Sequence, residues 1–301
     1  MNEQVRAIIV IGSHARKERK ADQWSDIDVI LFTTHPQRYQ QEEDWLREIG
    51  PTLSSYNGLE VAESTFVKRV FFEDGVSIDV TPVKAATIDW VHRYALLKTN
   101  LPSFLGLWPA SVKQKIEKPI RGLCYYLHRG LLILVDKGDY GMKLALIENA
   151  FRYVPQAAPD LKTFERQVNE FWQNAFRMAV KLSRKELFTA KIECEGPMKL
   201  NLLTLIEWHA KCLKGWDLET WHKGRYLEKW ADPKTIEEVQ TVYGRYDERD
   251  AWTSLFNTMK LFERVSGEID GHLGLNYDRN PEQRIQAWVR ELYFPSGSDV
   301  R

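Results

Sequence analysis

Two apolar runs near the start of the chain constrain its fold most strongly. Residues 6–11 (Arg-Ala-Ile-Ile-Val-Ile) are almost continuously apolar, which is typical of a strand buried on both faces of a sheet. This run stops at Gly12-Ser13, and after a polar stretch residues 26–32 form a second strand-like run. Two more apolar runs within residues 67–80 flank an Asp-Gly dipeptide, which predicts a hairpin with a tight turn. The N-terminal third is therefore predicted to hold a mixed sheet.

After about residue 90 the pattern becomes helical. Apolar residues recur at spacings of three and four along residues 164–182, and again along residues 252–265. Shorter helices are predicted within residues 39–49 and 236–246. Each pattern places one apolar stripe on a helix, so most of the C-terminal half is expected to pack as helices.

The length of the chain predicts more than one domain. Its 301 residues exceed the size, about 250–300 residues, at which a single core usually divides. We predict an α+β fold in which residues 1–105 form a domain with a mixed sheet and flanking helices. Residues 161–301 are predicted to form a helical-bundle domain, and residues 106–160 a connecting segment that the sequence leaves unassigned.

Charge and cysteine usage exclude several classes of protein. Lys and Arg total 42 and Asp and Glu total 42, whereas nucleic-acid-binding chains usually carry an excess of basic residues, so we expect no nucleic-acid partner. No run of 18 uncharged apolar residues occurs, so no membrane-spanning helix is predicted. The three scattered cysteines fit reduced core thiols in a cytoplasmic protein rather than a disulfide framework. The sequence does not indicate an oligomeric state.

Three aspartates are candidates for metal binding. Asp26 and Asp28 are two residues apart on a predicted strand, so both side chains point to one face. Asp79 alternates with apolar neighbours on the strand after the hairpin, and the three carboxylates converge if the two strands are adjacent. At ~4 Å and an effective dielectric constant of ~20, each like-charge pair would cost about 4 kcal/mol. Such a cluster calls for a cation, and Mg²⁺ prefers hard oxygen ligands.

A glycine turn lies before these acids. Gly12 ends a buried strand, where the lack of a side chain lets a phosphate approach the backbone. Ser13 can cap a helix N-terminus and donate its hydroxyl to the same phosphate. Metal-binding acids next to a phosphate-binding loop are what nucleotidyl transfer requires, so the N-terminal domain is predicted to be a nucleotidyltransferase domain.

These residues resemble a known superfamily. The segments 11–13 (Ile-Gly-Ser) and 25–28 (Ser-Asp-Ile-Asp) are similar to the signature of the polymerase-β-like nucleotidyltransferases. Further segments, among them 72–75, 78–81 and 169–172, resemble the aminoglycoside 6-adenylyltransferase (streptomycin adenylyltransferase) family. The resemblance covers most of the chain, and it implies transfer of AMP from ATP to a hydroxyl of an aminoglycoside, with release of pyrophosphate.

The resemblance also implies roles for single residues. Asp26 and Asp28 would hold two Mg²⁺ ions, and Asp79 would share one of them and accept the hydroxyl proton. The residues expected to contact the nucleotide phosphates are Gly12, Ser13, Arg16 and Lys181. The residues expected to contact the cationic substrate are Glu170 and Trp172.

Two positions depart from the family pattern, and the acceptor stays open. His14 stands where the family has Arg, and Ile27 stands where it has Tyr between the paired acids. The first alternative to an aminoglycoside is a macromolecular acceptor, either a protein hydroxyl or an RNA end. The second is an inactive nucleotide-binding relative.

Overall fold

The chain divides into two compact units. A computed structural model describes residues 3–16, 18–59 and 66–294. The two units are Met1–Val154 and Pro155–Arg301. Of residues 106–160, which the sequence left unassigned, those up to Val154 belong to the first unit and contribute two helices and a strand to it.

The first unit is built on a mixed sheet. Its described strands are β1 (Val5–Ile11), β2 (Ile27–Thr33), β3 (Thr52–Leu59), β4 (Phe66–Phe72), β5 (Ser77–Lys84) and β6 (Leu132–Asp136). They lie in the order β3-β4-β5-β2-β1-β6. Strands β2 and β5 are parallel, and every other neighbouring pair is antiparallel. The predicted hairpin is confirmed as β4 and β5, whose turn contains Gly75 at φ +87°.

Helices cover this sheet. They are α1 (Pro36–Gln41), α2 (Ala85–Asn100), α3 (Pro102–Gly106), α4 (Ala110–Arg129) and α5 (Tyr140–Ala150). Ile9 and Phe32 of the sheet pack with Leu144 and Ile147 of α5 in one buried cluster. The continuous apolar pattern of β1 is explained by this burial and by the inner position of the strand in the sheet.

The prediction of one helix over residues 39–49 was wrong. Helix α1 ends at Gln41, and a separate 3₁₀ turn spans Asp44–Glu48. Tyr39 of the helix and Leu46 of the turn are buried in two clusters, and Trp45 packs against both. Between the two elements Glu42 is extended, and its carbonyl accepts a hydrogen bond from the Trp45 indole at 2.9 Å.

The second unit is helical, as predicted. Its helices are α6 (Leu161–Ser183), α7 (Leu187–Glu193), α8 (Lys199–Lys214), α9 (Leu227–Trp230), α10 (Pro233–Val239), α11 (Glu248–Leu273) and α12 (Asn280–Tyr293). Helix α6 begins where the Asp160 carboxylate accepts the Thr163 N–H at 2.8 Å. The two predicted apolar stripes, on α6 and α11, both contribute to the core of the second unit.

The predicted helix over 236–246 is shorter than expected. Helix α10 ends at Val239, although Val242 is still buried. The backbone carbonyl of Thr241 accepts a hydrogen bond from the Asn257 side chain of α11 at 3.0 Å. After the helix ends, α11 therefore satisfies one of the free backbone carbonyls of this segment.

Two expectations from composition concern the whole chain. Within the described ranges, no helix combines the length and the apolar content needed to cross a membrane. Cys124, Cys194 and Cys212 are buried and free. This burial agrees with the prediction that they are reduced core thiols.

Candidate active site

Three carboxylates meet at one point on the sheet. The parallel pairing of β2 and β5 places Asp28 directly opposite Asp79, and Asp26 immediately precedes β2. Ligand oxygens of the three side chains all lie within 4.8 Å of one another. The predicted convergence of these aspartates, which we call the acid triad, is therefore confirmed.

The loop after β1 lies against the acid triad. Gly12 has φ +68°, a conformation that L-residues with side chains rarely adopt. A Cβ atom at this position would lie 2.1 Å from the Asp28 carboxylate oxygen Oδ2. The Ser13 hydroxyl donates to the backbone carbonyl of Asp26 at 3.3 Å. The absence of a side chain at Gly12 thus leaves space for the Asp28 carboxylate, and Ser13 joins the loop to the start of β2.

The loop does not begin an α-helix, although Ser13 was expected to cap one. Only a 3₁₀ turn forms, Gly12–His14, and the backbone N–H groups of Ala15 and Arg16 donate to the Gly12 carbonyl at 3.2 and 3.1 Å. A single turn has little macrodipole, so an anion here would be bound by individual N–H and hydroxyl groups. His14 Nε2 lies 3.2 Å from the Ser25 carbonyl, and Arg16 Nε donates to the Arg19 carbonyl at 3.0 Å.

A residue that the sequence analysis did not single out pairs with the triad. Arg69 on β4 lies opposite Asp79, and its Nε is 3.2 Å from Asp79 Oδ2. The Asp79 side chain is 14% exposed, so this guanidinium neutralises a carboxylate with little access to water. The signal was present in the hairpin, because the pairing of its strands around Asp74-Gly75 places Arg69 opposite Asp79.

The acid triad has the donor set of a magnesium site. At separations of 4.8 Å or less and an effective dielectric constant of about 20, two carboxylates repel each other by at least about 3.5 kcal/mol. Solvent at the exposed Asp26 and the Arg69 guanidinium at Asp79 reduce this cost. Three carboxylates, with no nitrogen or sulfur ligand among them, fit a hard divalent cation such as Mg²⁺.

The remaining predicted site residues belong to the second unit, on α6. Lys181 forms an ion pair with Glu186 at 2.6 Å. Glu170 is exposed, whereas Trp172 is 1% exposed and packs in the helical core. The Trp172 indole donates to the buried Glu282 carboxylate at 3.1 Å, so in this structure its polar atom is already engaged.

Burial of Glu282 makes the stability of the protein pH-dependent. Loss of hydration raises the pKa of Glu282 from its ordinary value of 4.5 to about 7, despite the nearby Arg279. Between pH 4.5 and about pH 7, Glu282 is therefore more protonated in the folded than in the unfolded protein. The contribution of this protonation to the free energy of unfolding is fully present below pH 4.5 and is lost as the pH rises through about 7. We expect Glu282→Gln to be more stable than the wild type at about pH 8, by roughly 1–2 kcal/mol.

Urea unfolding followed from about pH 5 to pH 8 measures this effect. Glu291→Gln on the same helix is the control, because Glu291 is exposed. Parallel pH profiles for Glu282→Gln and the wild type would contradict the assignment.

Comparison with known proteins gives the family. The family model for streptomycin adenylyltransferase matches residues 1–292. The aminoglycoside 6-adenylyltransferase of Bacillus subtilis (strain 168) is 20% identical over 97% of this chain and 93% of its own length. The enzyme of the same name from Campylobacter jejuni is 21% identical over 96% of this chain and 90% of its own length.

The crystal structure of an aminoglycoside 6-adenyltransferase from Bacillus subtilis shares 17% sequence identity and has a TM-score of 0.45, covering 97% of this chain and 93% of that chain. The family match extends over nearly all of the chain and includes every residue of the acid triad. This protein belongs to the streptomycin adenylyltransferase family of nucleotidyltransferases.

Proposed function

We propose that the protein transfers AMP from Mg-ATP to a hydroxyl of a streptomycin-like aminoglycoside in the cytoplasm. The oxygen of that hydroxyl forms a bond to the α-phosphorus, and the bond to pyrophosphate breaks. The observation that carries the proposal is the acid triad, which lies against the Gly12 loop. Membership of the streptomycin adenylyltransferase family supports the adenylyl donor and the class of acceptor.

The candidate site residues of the first unit have separate proposed roles. Asp26 and Asp28 would hold two Mg²⁺ ions, and Asp79 would share one of them. When bound, the ions supply positive charge that stabilises the transferring phosphoryl group and the leaving pyrophosphate. Ser13 and Arg16 are proposed to bind the β- and γ-phosphates, and Asp79 to accept the proton of the acceptor hydroxyl.

The proposal extends to the second unit through two residues. Lys181 is proposed as a further phosphate contact, for which it would exchange Glu186 for the nucleotide. Exposed Glu170 is proposed as a contact for a cationic group of the acceptor. We do not extend the proposal to Trp172, because its ring is buried.

The function is tested by measuring pyrophosphate release from Mg-ATP with streptomycin as the acceptor. Kanamycin, a different aminoglycoside, serves as the comparison. We expect release that requires streptomycin, together with a product heavier than the drug by one adenylyl group in mass spectrometry. Tight binding of Mg-ATP without release of pyrophosphate with any drug would contradict the proposal and favour a macromolecular acceptor. Binding of Mg-ATP without adenylylation of any drug, protein or RNA would favour an inactive nucleotide-binding relative.

Metal binding should also be visible without turnover. We expect Mg²⁺ with a non-hydrolysable ATP analogue, each at about 100 times its dissociation constant, to raise the melting temperature by roughly 5 °C. Chelation with EDTA should reverse the increase. Asp26→Asn should show a much smaller increase because it lacks one ligand. An equal increase in both proteins would remove the acid triad from the metal site.

A further inference from the structure

A cavity adjoins the acid triad. It has a volume of about 280 Å³, and its polar lining is Asp26, Ser54, Tyr56, Arg69, Ser77 and Asp79. Two members of the triad therefore face a concave space bounded by β3, β4 and β5. Ser54, Tyr56 and Ser77 lie outside the acid triad and outside the Gly12 loop.

The sheet places this cavity and the phosphate-binding loop on opposite sides of the triad. The loop follows β1, which neighbours β2, whereas the cavity lies over β3 and β4, beyond β5. In phosphoryl transfer the attacking and leaving oxygens lie roughly in line across the phosphorus. If Ser13 binds the leaving pyrophosphate, the attacking hydroxyl must come from the side of the cavity.

We propose that this cavity binds the ring of the acceptor that carries the reactive hydroxyl, an inference that rests on the proposed function. Its volume is just below the range of ligand pockets, about 300–1,000 Å³, so it holds one sugar or cyclitol ring rather than a whole aminoglycoside. Hydroxyls of Ser54, Tyr56 and Ser77 offer both donors and acceptors to the hydroxyls of such a ring.

Arg69 fixes two walls of the cavity relative to each other. Its Nε lies 3.2 Å from Asp79 Oδ2, and its Nη1 donates to the Tyr56 hydroxyl at 3.4 Å. The Tyr56 side chain is nevertheless 58% exposed, so a face of its ring remains available to a ligand. Arg69 is thus a positioning residue that holds Asp79 and the aromatic wall in a fixed relation.

Filling the cavity tests the inference. We expect Ser54→Leu to raise the KM for streptomycin at least tenfold and to leave the KM for ATP within about twofold of the wild type. Streptomycin binding, measured by calorimetry in the absence of ATP, should weaken by the same factor. Ser77→Val makes a smaller change, on the β5 side of the cavity, and should also raise the KM for streptomycin. This variant tests the inference if Ser54→Leu does not fold.

Ser55→Leu is the matched control. Ser55 lies on the same strand, but its hydroxyl contacts Glu43 rather than the cavity. Its KM for streptomycin should match the wild type. Equal KM values in Ser54→Leu, Ser77→Val and Ser55→Leu would overturn the inference while the wild-type activity upholds the function. A wild type that modifies no aminoglycoside would overturn the function, and the acceptor site with it.

Discussion

Asp28→Asn is expected to reduce the rate of AMP transfer by a factor on the order of 10³ or more, with the protein still folded. Asp28 is the member of the acid triad that lies both opposite Asp79 and against Gly12. An amide has almost the same shape as a carboxylate but carries no charge, so the site would lose metal affinity. The same change removes like-charge repulsion, so the free energy of unfolding of the metal-free variant should rise by about 1 kcal/mol. Its urea midpoint should increase accordingly.

Single-turnover rates with saturating Mg-ATP and urea unfolding in EDTA measure the two effects. Asp74→Asn is the matched control, because Asp74 accepts a backbone hydrogen bond in the hairpin turn and lies outside the triad. It should keep the wild-type rate. A rate for Asp28→Asn within tenfold of the wild type would remove this residue from the metal site.

Gly12→Ala should cause the second large loss, on the order of 10²-fold or more in the rate of transfer. The added Cβ would lie 2.1 Å from Asp28 Oδ2, and the carboxylate, at the end of a flexible side chain, would have to move. The cost in stability should be smaller, about 1–2 kcal/mol, and should come mainly from the positive φ of +68°. Activity is therefore expected to fall much further than stability.

Gly75→Ala separates backbone strain from obstruction. Gly75 also has a positive φ, +87°, but no heavy atom lies within 4 Å of its added Cβ. We expect a loss of stability of about 1 kcal/mol and an unchanged rate of transfer. If Gly12→Ala were as active as Gly75→Ala, the contact between Gly12 and Asp28 would have no part in catalysis.

The sequence predicted best those elements in which buried positions follow a regular pattern along the chain. Strands β1 and β2 are inner strands with buried residues on both faces, so their apolar runs were informative. The alternation of acids with apolar residues around Asp28 and Asp79 correctly indicated that the carboxylates share a face.

Other features depend on contacts that sequence patterns do not encode. Among the described strands, β3 pairs only with β4, and its polar sequence gives no apolar alternation to detect. The hydrogen bond between Trp172 and Glu282 joins residues 110 positions apart, so its burial could not be read from the stripe on α6. Arg69 was overlooked because its role depends on which strands pair, although the hairpin fixes that pairing.

The pairing of β1 with β6 has a consequence for synthesis of the protein on the ribosome. Fifty-two residues separate the end of β5 from the end of β6, which is roughly 3–10 s of translation at 5–20 residues per second. During that interval the edge of β1 at Ala7 to Val10 lacks its partner β6, although the other strands that the structure describes have been made. Such an apolar edge is a template for pairing with another chain. Neighbouring nascent chains on one messenger RNA can therefore pair through this edge during the interval between the appearance of β5 and that of β6.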